Sequence, residues 1–515
     1  MSGTADLRRI ARRAMLERGL LPDFSPEAMK QVAALQPPRA LAPPGSGLGG
    51  AAGTSGTSGT NGGNGGNGTR NGGLAVRDVR GLLWSSIDND DSRDLDQIEV
   101  VEPLAGGAAR VLIGVADVDA LVERDSPVDA HARGNTTSVY TAAQTFPMLP
   151  ERLSTDLTSL APDADRLALV VELTMSAEGA VTGADVYRAW VRNHAQLAYD
   201  GVGSWLAGSG APPARVASVP GLAEQLRRQD EIAARLQSVR RAHGALDLDT
   251  GEARAVFENG VLTDLCPEEK NRAKEIIEDF MIAANGAIAR FLAAKGFPSL
   301  RRVLRAPERW GRIVALAASL GGRLPETPDA TALDAFLRSR RAADPSRFAD
   351  LSLAVVKLLG RGEYVAEQPG ERGPGHFALA VLDYAHSTAP NRRFPDLITH
   401  RLVKAALAGG QPPYGRQELE ALAEHCTEQE GNAAKVERRV RKSAAALLLA
   451  PRIGERFQAV VSGVNNDGVW VRIAQPMAEG KLVRGAEALD VGDCIQVELV
   501  QADVERGFVD FARSR

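Results

Sequence analysis

Residues 85–102, SSIDNDDSRDLDQIEVVE, bring Asp88, Asp90, Asp91, Asp94, Asp96 and Glu99 into one short segment. Carboxylates this close repel one another unless a cation gathers them or water screens them. Three chemistries are open. Calcium is one, because DNDDSRDLDQIE sets Asp88, Asp90, Ser92, Asp94 and Asp96 at alternate positions of an EF-hand loop, with Glu99 at its twelfth. Against it, Arg93 stands where that loop needs glycine for its turn, and strand-like LLWSSI and IEVVEPL stand where helices are required. A solvated acidic loop is the second, although Arg93 alone is a poor counter-charge. The third is a hard divalent cation, magnesium with manganese as the substitute, for phosphate chemistry. Asp94 and Asp96 project to one side of an extended segment and Asp88 folds back toward them. Such a group activates water and stabilises a leaving oxygen. Arg392 and Arg393 of STAPNRRFPD would balance charge on the phosphoryl oxygens.

These residues need a scaffold, and the chain is long enough for several domains at 515 residues. Its hydrophobic fraction of 44% permits a large core. Three cysteines, Cys266, Cys426 and Cys494, are too few and too scattered for a disulfide framework or a zinc site. No stretch reaches the roughly 20 apolar residues of a membrane span, and the basic amphipathic N-terminus lacks the apolar core of a secretory signal. A cytoplasmic protein without membrane contact is expected. The net charge of −4 does not suggest a general nucleic-acid binder, yet NRRF at 391–394 and KVERRVRK at 435–442 are basic islands.

The expected organisation is multidomain α+β. Residues 1–36 read as a helix-turn-helix-like segment, its second helix opened by Ser25 and Pro26. Residues 37–74 are Gly/Pro-rich with too little apolar content to offset ordering, a flexible linker. Residues 75–450 alternate strands (LLWSSI, QIEVVEPL, ARVLIGVADV, LALVVELTM) with helices such as the one within 267–296. Residues 451–515 give five short alternating strands, which suits an OB-fold β-barrel. Phe457 and Trp470 lie on its first two strands, where a ring serves either the core or a base-stacking face.

The chain resembles the ribonuclease II / ribonuclease R family of 3′→5′ exoribonucleases, through its catalytic RNB domain. The resemblance is carried by Ile87-Asp88 followed by Asp94, Asp96 and Gln97, by TTSVYTAAQTFPMLPERLSTDLTSLAPDADRLALVVEL, and by GHFALAVLDYAHSTAPNRRFPDLITHRLVKA. It implies a magnesium-dependent hydrolytic exoribonuclease that releases nucleoside 5′-monophosphates processively, acting as a monomer. The implied substrates are single-stranded RNA and structured RNA with a 3′ overhang. It assigns Asp94, Asp96 and Arg392 to catalysis and Asp88, Asp94, Asp96 and Gln97 to the metal. RNA contact is expected of Tyr140 at the 3′ end, and of His386, Arg392, Arg393, Glu437, Phe457 and Trp470; the barrel would be an S1-type RNA-binding domain. The sequence also departs from the family. Gln97 replaces an acidic ligand, Leu248 stands where an aromatic is common, and Ser387, Ala389, Asn391 and Phe394 replace Phe, Ser, Ile and Tyr. Cold-shock domains are not seen ahead of the catalytic domain. Gln97 keeps a second reading open, a catalytically impaired RNA-binding protein of the same fold.

Overall fold

In the computed structural model of the protein, residues 2–38, 75–249, 253–258, 261–267, 270–465 and 467–514 are described. All but the first two residues of the expected linker lie outside them. The first eight strands are β1 Val76–Asp78, β2 Trp84–Asp88, β3 Gln97–Pro103, β4 Ala109–Ala116, β5 Val139–Tyr140, β6 Thr145–Phe146, β7 Asp165–Met175 and β8 Val181–Ala198. Six of them form one sheet in the order β1-β8-β2-β3-β4-β7, and β7 pairs again with β8, so the ladder of pairings returns on itself. β5 and β6 form a separate small hairpin. The strand β8 is missing from the sequence-based expectation, because its polar interruptions hide its length. It carries β7 on one edge, and β1 and β2 in succession on the other.

The four expected strand segments are present as β2, β3, β4 and β7. Both β3 and β4 are buried along almost their whole length, which explains their near-continuous apolar sequence. Against this sheet lies the helix Arg272–Ala294, capped by the Asn271 side chain accepting from the Lys274 amide at 3.0 Å. Ile276, Phe280, Ala284, Ile288 and Leu292 recur at helical spacing and enter the same core. The N-terminal helices are Ser2–Glu17 and Pro26–Ala34, the second capped by Ser25 as expected. They seat on different parts of the catalytic domain. Ala28 and Val32 join the sheet core, while Ala11, Ala14 and Met15 pack with Val139, Phe146, Val436 and Val440.

The C-terminal strands Arg456–Asn465, Gly468–Ile473, Ala478–Arg484, Cys494–Asp503 and Phe508–Arg513 close into a barrel. Its third strand starts three residues earlier than the sequence suggested, because Ala478 and Gly480 alternate inward with Leu482. At Gly480 a Cβ would sit 2.4 Å from the Val509 carbonyl, so only glycine allows the two strands to approach. The long helix Arg416–Leu449 spans both parts of the molecule: Val436 and Val440 face the β5–β6 hairpin, while Ala445, Ala446 and Leu449 enter the barrel core. Arg472 on the barrel pairs with Asp350 on the helix Phe348–Leu359. Among the described residues no helix is long and apolar enough to cross a membrane.

Behind the acidic segment lies a buried ionic network. Asp117, just past β4, accepts from Arg188 of β8 at 2.8 Å and from Lys404 at 2.9 Å. Lys404 also meets Asp119 at 2.8 Å, and Arg401 joins Asp119 and Asp129 at 2.7 Å each. Lys404 and Arg401 lie on the helix Phe394–Leu407, so this network fixes that helix to the sheet. Burial alone would raise the Asp117 pKa, but Lys404 and Arg188 outweigh it and hold it far below the usual carboxylate range. Its contribution to stability is therefore complete above the unfolded value of about 4 and is lost as pH falls toward the depressed folded value. Asp117→Asn leaves Arg188 and Lys404 buried with less compensation and should cost about 3–5 kcal/mol. Urea denaturation at pH 7 checks the loss, and the gap between variant and wild type should narrow in strong acid.

Candidate active site

The acidic segment is built as a turn followed by a sewn-in extended stretch. Asp88, the last residue of β2, accepts from the Asn89 amide and the Ser92 hydroxyl, both at 2.8 Å, so the chain turns back on itself. Gln196 of β8 donates to the Ser92 carbonyl at 2.9 Å. The Ser159 hydroxyl donates to the Arg93 carbonyl at 2.7 Å and accepts from the Leu95 amide at 3.2 Å. The Leu160 amide bonds the Leu95 carbonyl, and the Ala116 amide bonds that of Asp96, each at 2.9 Å. With Leu95 buried in the core, Asp94 and Asp96 share the opposite side. The flanks are strands β2 and β3, so the EF-hand reading falls.

Asp96 is 1% exposed. One of its oxygens accepts from the Asn391 amide at 2.9 Å and the other from Arg392 Nε at 3.0 Å. Burial, helped by the charge of Asp94, pushes its pKa up to about 7, while Arg392 and the Asn391 amide pull downward. Asp94 is raised for the same first reason, with Asp88 adding repulsion and Arg392 and the Tyr140 hydroxyl opposing it. Arg392 is 44% exposed, so the guanidinium edge not engaged by Asp96 is open to a ligand. Gln97 opens β3 directly after Asp96 and is buried.

The Arg392 turn is fixed from three sides. The Ala389 carbonyl accepts from the Arg392 amide at 3.2 Å and the Arg393 amide at 2.9 Å. The Asn391 side-chain oxygen accepts from the Thr158 hydroxyl at 2.6 Å. The Arg392 carbonyl accepts from the Ser138 amide at 2.9 Å and the Thr137 hydroxyl at 3.2 Å, while the Phe394 amide bonds the Thr136 carbonyl at 2.8 Å. Residues 136–138 thus run beside 392–394, and two residues later comes Tyr140, 46% exposed. The Tyr140 amide donates to Glu437 of the long helix at 2.9 Å.

Asp88, Asp94, Asp96, Arg392, Tyr140 and Glu437 are thereby brought together. Other expected RNA contacts lie elsewhere. Arg393 turns inward, with Nε and Nη2 on Asp396 at 2.9 and 2.8 Å, so its guanidinium organises the helix start rather than facing a ligand. His386 sits half-buried between Tyr364 and Tyr384, its Nδ1 2.8 Å from the Tyr364 hydroxyl. Burial, then Arg393 and Arg302, keep it neutral, well below the ordinary histidine range. The ring of Phe457 is 9% exposed and packs edge-on against Phe511, which corrects the stacking role considered for it. Trp470 remains half-buried on the barrel, with Lys481 Nζ 5.9 Å from its ring. Sequence reasoning missed Thr158, Ser159 and Ser138, and gave Asn391 no role. These residues act through backbone amides or single hydroxyls, for which residue type gives little signal.

With this geometry in hand, comparison with known proteins places the chain. An RNB domain matches residues 76–409, and an RNase II-type exonuclease C-terminal S1 domain matches residues 455–514. The chain belongs to the RNB-domain family. Ribonuclease R of Escherichia coli (strain K12) is 32% identical over 419 residues, covering 78% of this chain and 50% of that protein. Ribonuclease R of Aquifex aeolicus is 30% identical over 467 residues, covering 84% and 64%. Mycoplasma genitalium RNase R in complex with ribose methylated single-stranded RNA has the same fold, with a TM-score of 0.83, 20% identity, and coverage of 99% of this chain and 78% of that one. The same protein in complex with double-stranded RNA gives a TM-score of 0.81. The chain spans between half and two thirds of the length of these curated relatives.

Thr158 donates the one hydrogen bond that reaches the Asn391 side chain among those described. Thr158→Val should leave the Asn391 oxygen buried without its donor, at a cost of about 1–3 kcal/mol. Chemical denaturation checks this, with Thr158→Ser expected to restore most of the loss.

Proposed function

We propose that this protein is a hydrolytic 3′→5′ exoribonuclease of the RNB family that removes nucleoside 5′-monophosphates from single-stranded RNA. The observation that carries the reading is the Asp96–Arg392 pair, a buried acid beneath a half-exposed guanidinium, joined by the antiparallel bridge of Thr137 and Arg393 to an exposed tyrosine. The Tyr140 ring offers the last nucleotides a stacking face. Arg392 contributes hydrogen bonds to the scissile phosphate and offsets charge that grows on its oxygens. Water attacks phosphorus, the 3′ oxygen of the preceding ribose leaves with a proton, and one nucleotide departs carrying the phosphate at its 5′ position. The half-buried Trp470 beside the exposed Lys481 on the barrel suits capture of the strand upstream.

The donor set fits a hard divalent cation, Mg²⁺ or Mn²⁺. The charge of Asp88 raises the proton affinity of Asp94, and that of Asp94 raises Asp96, and neither thiol nor imidazole stands among them. Among the described residues no three acids, imidazoles or thiols are grouped so that they could hold a metal ion by themselves, so an ion there would need further oxygens from water and phosphate. Asp94 and Asp96, with Asp88, would hold it, and a side-chain carbonyl from Gln97 is the fourth oxygen we propose. When bound, such an ion supplies Lewis-acid polarisation of the phosphoryl group and lowers the pKa of water.

The first test is incubation of 5′-labelled single-stranded RNA with Mg²⁺, with and without EDTA. A ladder shortening from the 3′ end only with metal supports the enzyme, and an intact but retarded RNA supports a binding protein of the same fold. Asp96→Asn should lower the cleavage rate by about 10²–10³ with RNA affinity nearly unchanged. Filter binding alongside single-turnover cleavage separates the two quantities.

Residue 97 sets a finer expectation. A glutamine carbonyl brings an oxygen but no charge, so cation affinity should be weaker than with a carboxylate there. Gln97→Asp should therefore lower the Mg²⁺ concentration for half-maximal rate, with a smaller effect on the plateau. Magnesium titrations of both proteins on one RNA measure it, and an unchanged midpoint would remove Gln97 from the metal's surroundings.

A further inference from the structure

We infer that the N-terminal helix Ser2–Glu17 is a positioning element for the clamp on the RNA 3′ end, acting through Asn135, Met15 and Leu20. The inference rests on the reading of Tyr140 given above and adds a set of residues remote from the reacting atoms. The helix stops in a way that aims its following residues. Gly19 takes φ +70°, its amide bonds the Leu16 carbonyl at 3.1 Å, and the Leu20 amide bonds the Met15 carbonyl at 3.0 Å. That paired pattern folds Leu20 back over Met15. Both side chains are fully buried in one cluster with Val139 and Phe146, which belong to the hairpin that carries Tyr140.

The next residue is held by its backbone. Asn135 Oδ1 accepts from the Leu21 amide at 2.7 Å, and its Nδ2 donates to the Leu21 carbonyl at 2.8 Å. Asn135 is fully buried, and a planar amide that both donates and accepts fits a peptide group as no carboxylate or hydroxyl does. Gly134 leaves room for this docking, since a Cβ there would lie 3.0 Å from the Leu21 side chain. The Phe24 and His131 rings close the contact at 4.2 Å.

What Asn135 latches is a strained corner. Thr136 follows it with φ +58°, a left-handed conformation unfavourable for a β-branched residue. From there the chain runs along Arg392 to Tyr140. A corner of this kind keeps its shape only when its surroundings enforce it, and the N-terminal segment supplies a large part of that enforcement. The outer face of the helix is tied down as well. Glu17 pairs with Arg439, two residues beyond the Glu437 that accepts the Tyr140 amide, and Arg9 and Arg13 pair with Glu505 of the barrel.

The test compares Asn135→Asp and Met15→Ala with Tyr140→Ala and with Val355→Ala, a cavity variant in the separate cluster of helices around Trp310 and Phe348. The full-length proteins digest 5′-labelled oligoadenylate to completion, and the lengths of the final products are read on a sequencing gel beside each variant's melting temperature. The expected result is a shift of Asn135→Asp and Met15→Ala toward longer final products, in the direction of Tyr140→Ala, with kcat/KM on short RNA reduced about 10-fold. Val355→Ala should lose stability without that shift, and Asn135→Asp combined with Tyr140→Ala should add little to Tyr140→Ala alone. Wild-type final products from both Asn135→Asp and Met15→Ala, beside altered ones from Tyr140→Ala, overturn the inference alone. Unaltered products from Tyr140→Ala overturn the reading of the clamp on which it stands.

Discussion

The site depends on a carboxylate kept out of water. Asp96 has protein donors on both oxygens, one a backbone amide and the other an arginine edge, so it joins two segments that are 296 positions apart in the chain. A buried acid of this kind is costly when unpaired and strongly directional when paired. The Asn391–Arg392 turn therefore has little freedom to drift from the acidic segment. The same turn carries the ladder to residues 136–138, which places Tyr140 by reference to Arg392 rather than independently. The Asp117–Lys404–Asp119–Arg401 network then fixes the helix that follows, so the site has one rigid wall.

Much of this was legible in the sequence where the signal is local. The acidic run, its extended flanks, the Ser25 cap and the alternation of the barrel strands are written in consecutive residues, and each has its counterpart in the fold. The pairing of Asp96 with Arg392 is not written that way. Residue types alone offered two adjacent arginines, and only packing distinguishes them: Arg393 turns to Asp396 while Arg392 stays half-exposed. The strand β8 was hidden because Thr182, Asp185, Arg188, Arg192 and Asn193 interrupt its apolar pattern. Phe457 was ambiguous because an aromatic on a barrel strand suits either face until the strand's register is known.

The departures from the family pattern acquire physical content in the structure. Ser387 has its amide and hydroxyl on the Asn285 side-chain oxygen at 2.9 and 2.8 Å, so a buried polar pair occupies this position. Asn391 uses its oxygen on Thr158, but its Nδ2 is buried with no partner among the described residues. That leaves a polar atom with unused donor capacity close to the acid that organises the site, at a position where an isoleucine would bring none.

The helix Arg416–Leu449 has a mechanical consequence. Its 34 residues make a rod of roughly 50 Å, and such a rod resists compression far better than a loop of equal span. Val436 and Val440 hold the tyrosine hairpin, and Ala445, Ala446 and Leu449, about one to four turns further on, are embedded in the barrel, so a load applied to the barrel reaches the hairpin as displacement along the rod. The hairpin and the barrel are thus joined through a single covalent strut, which keeps a constant spacing between them.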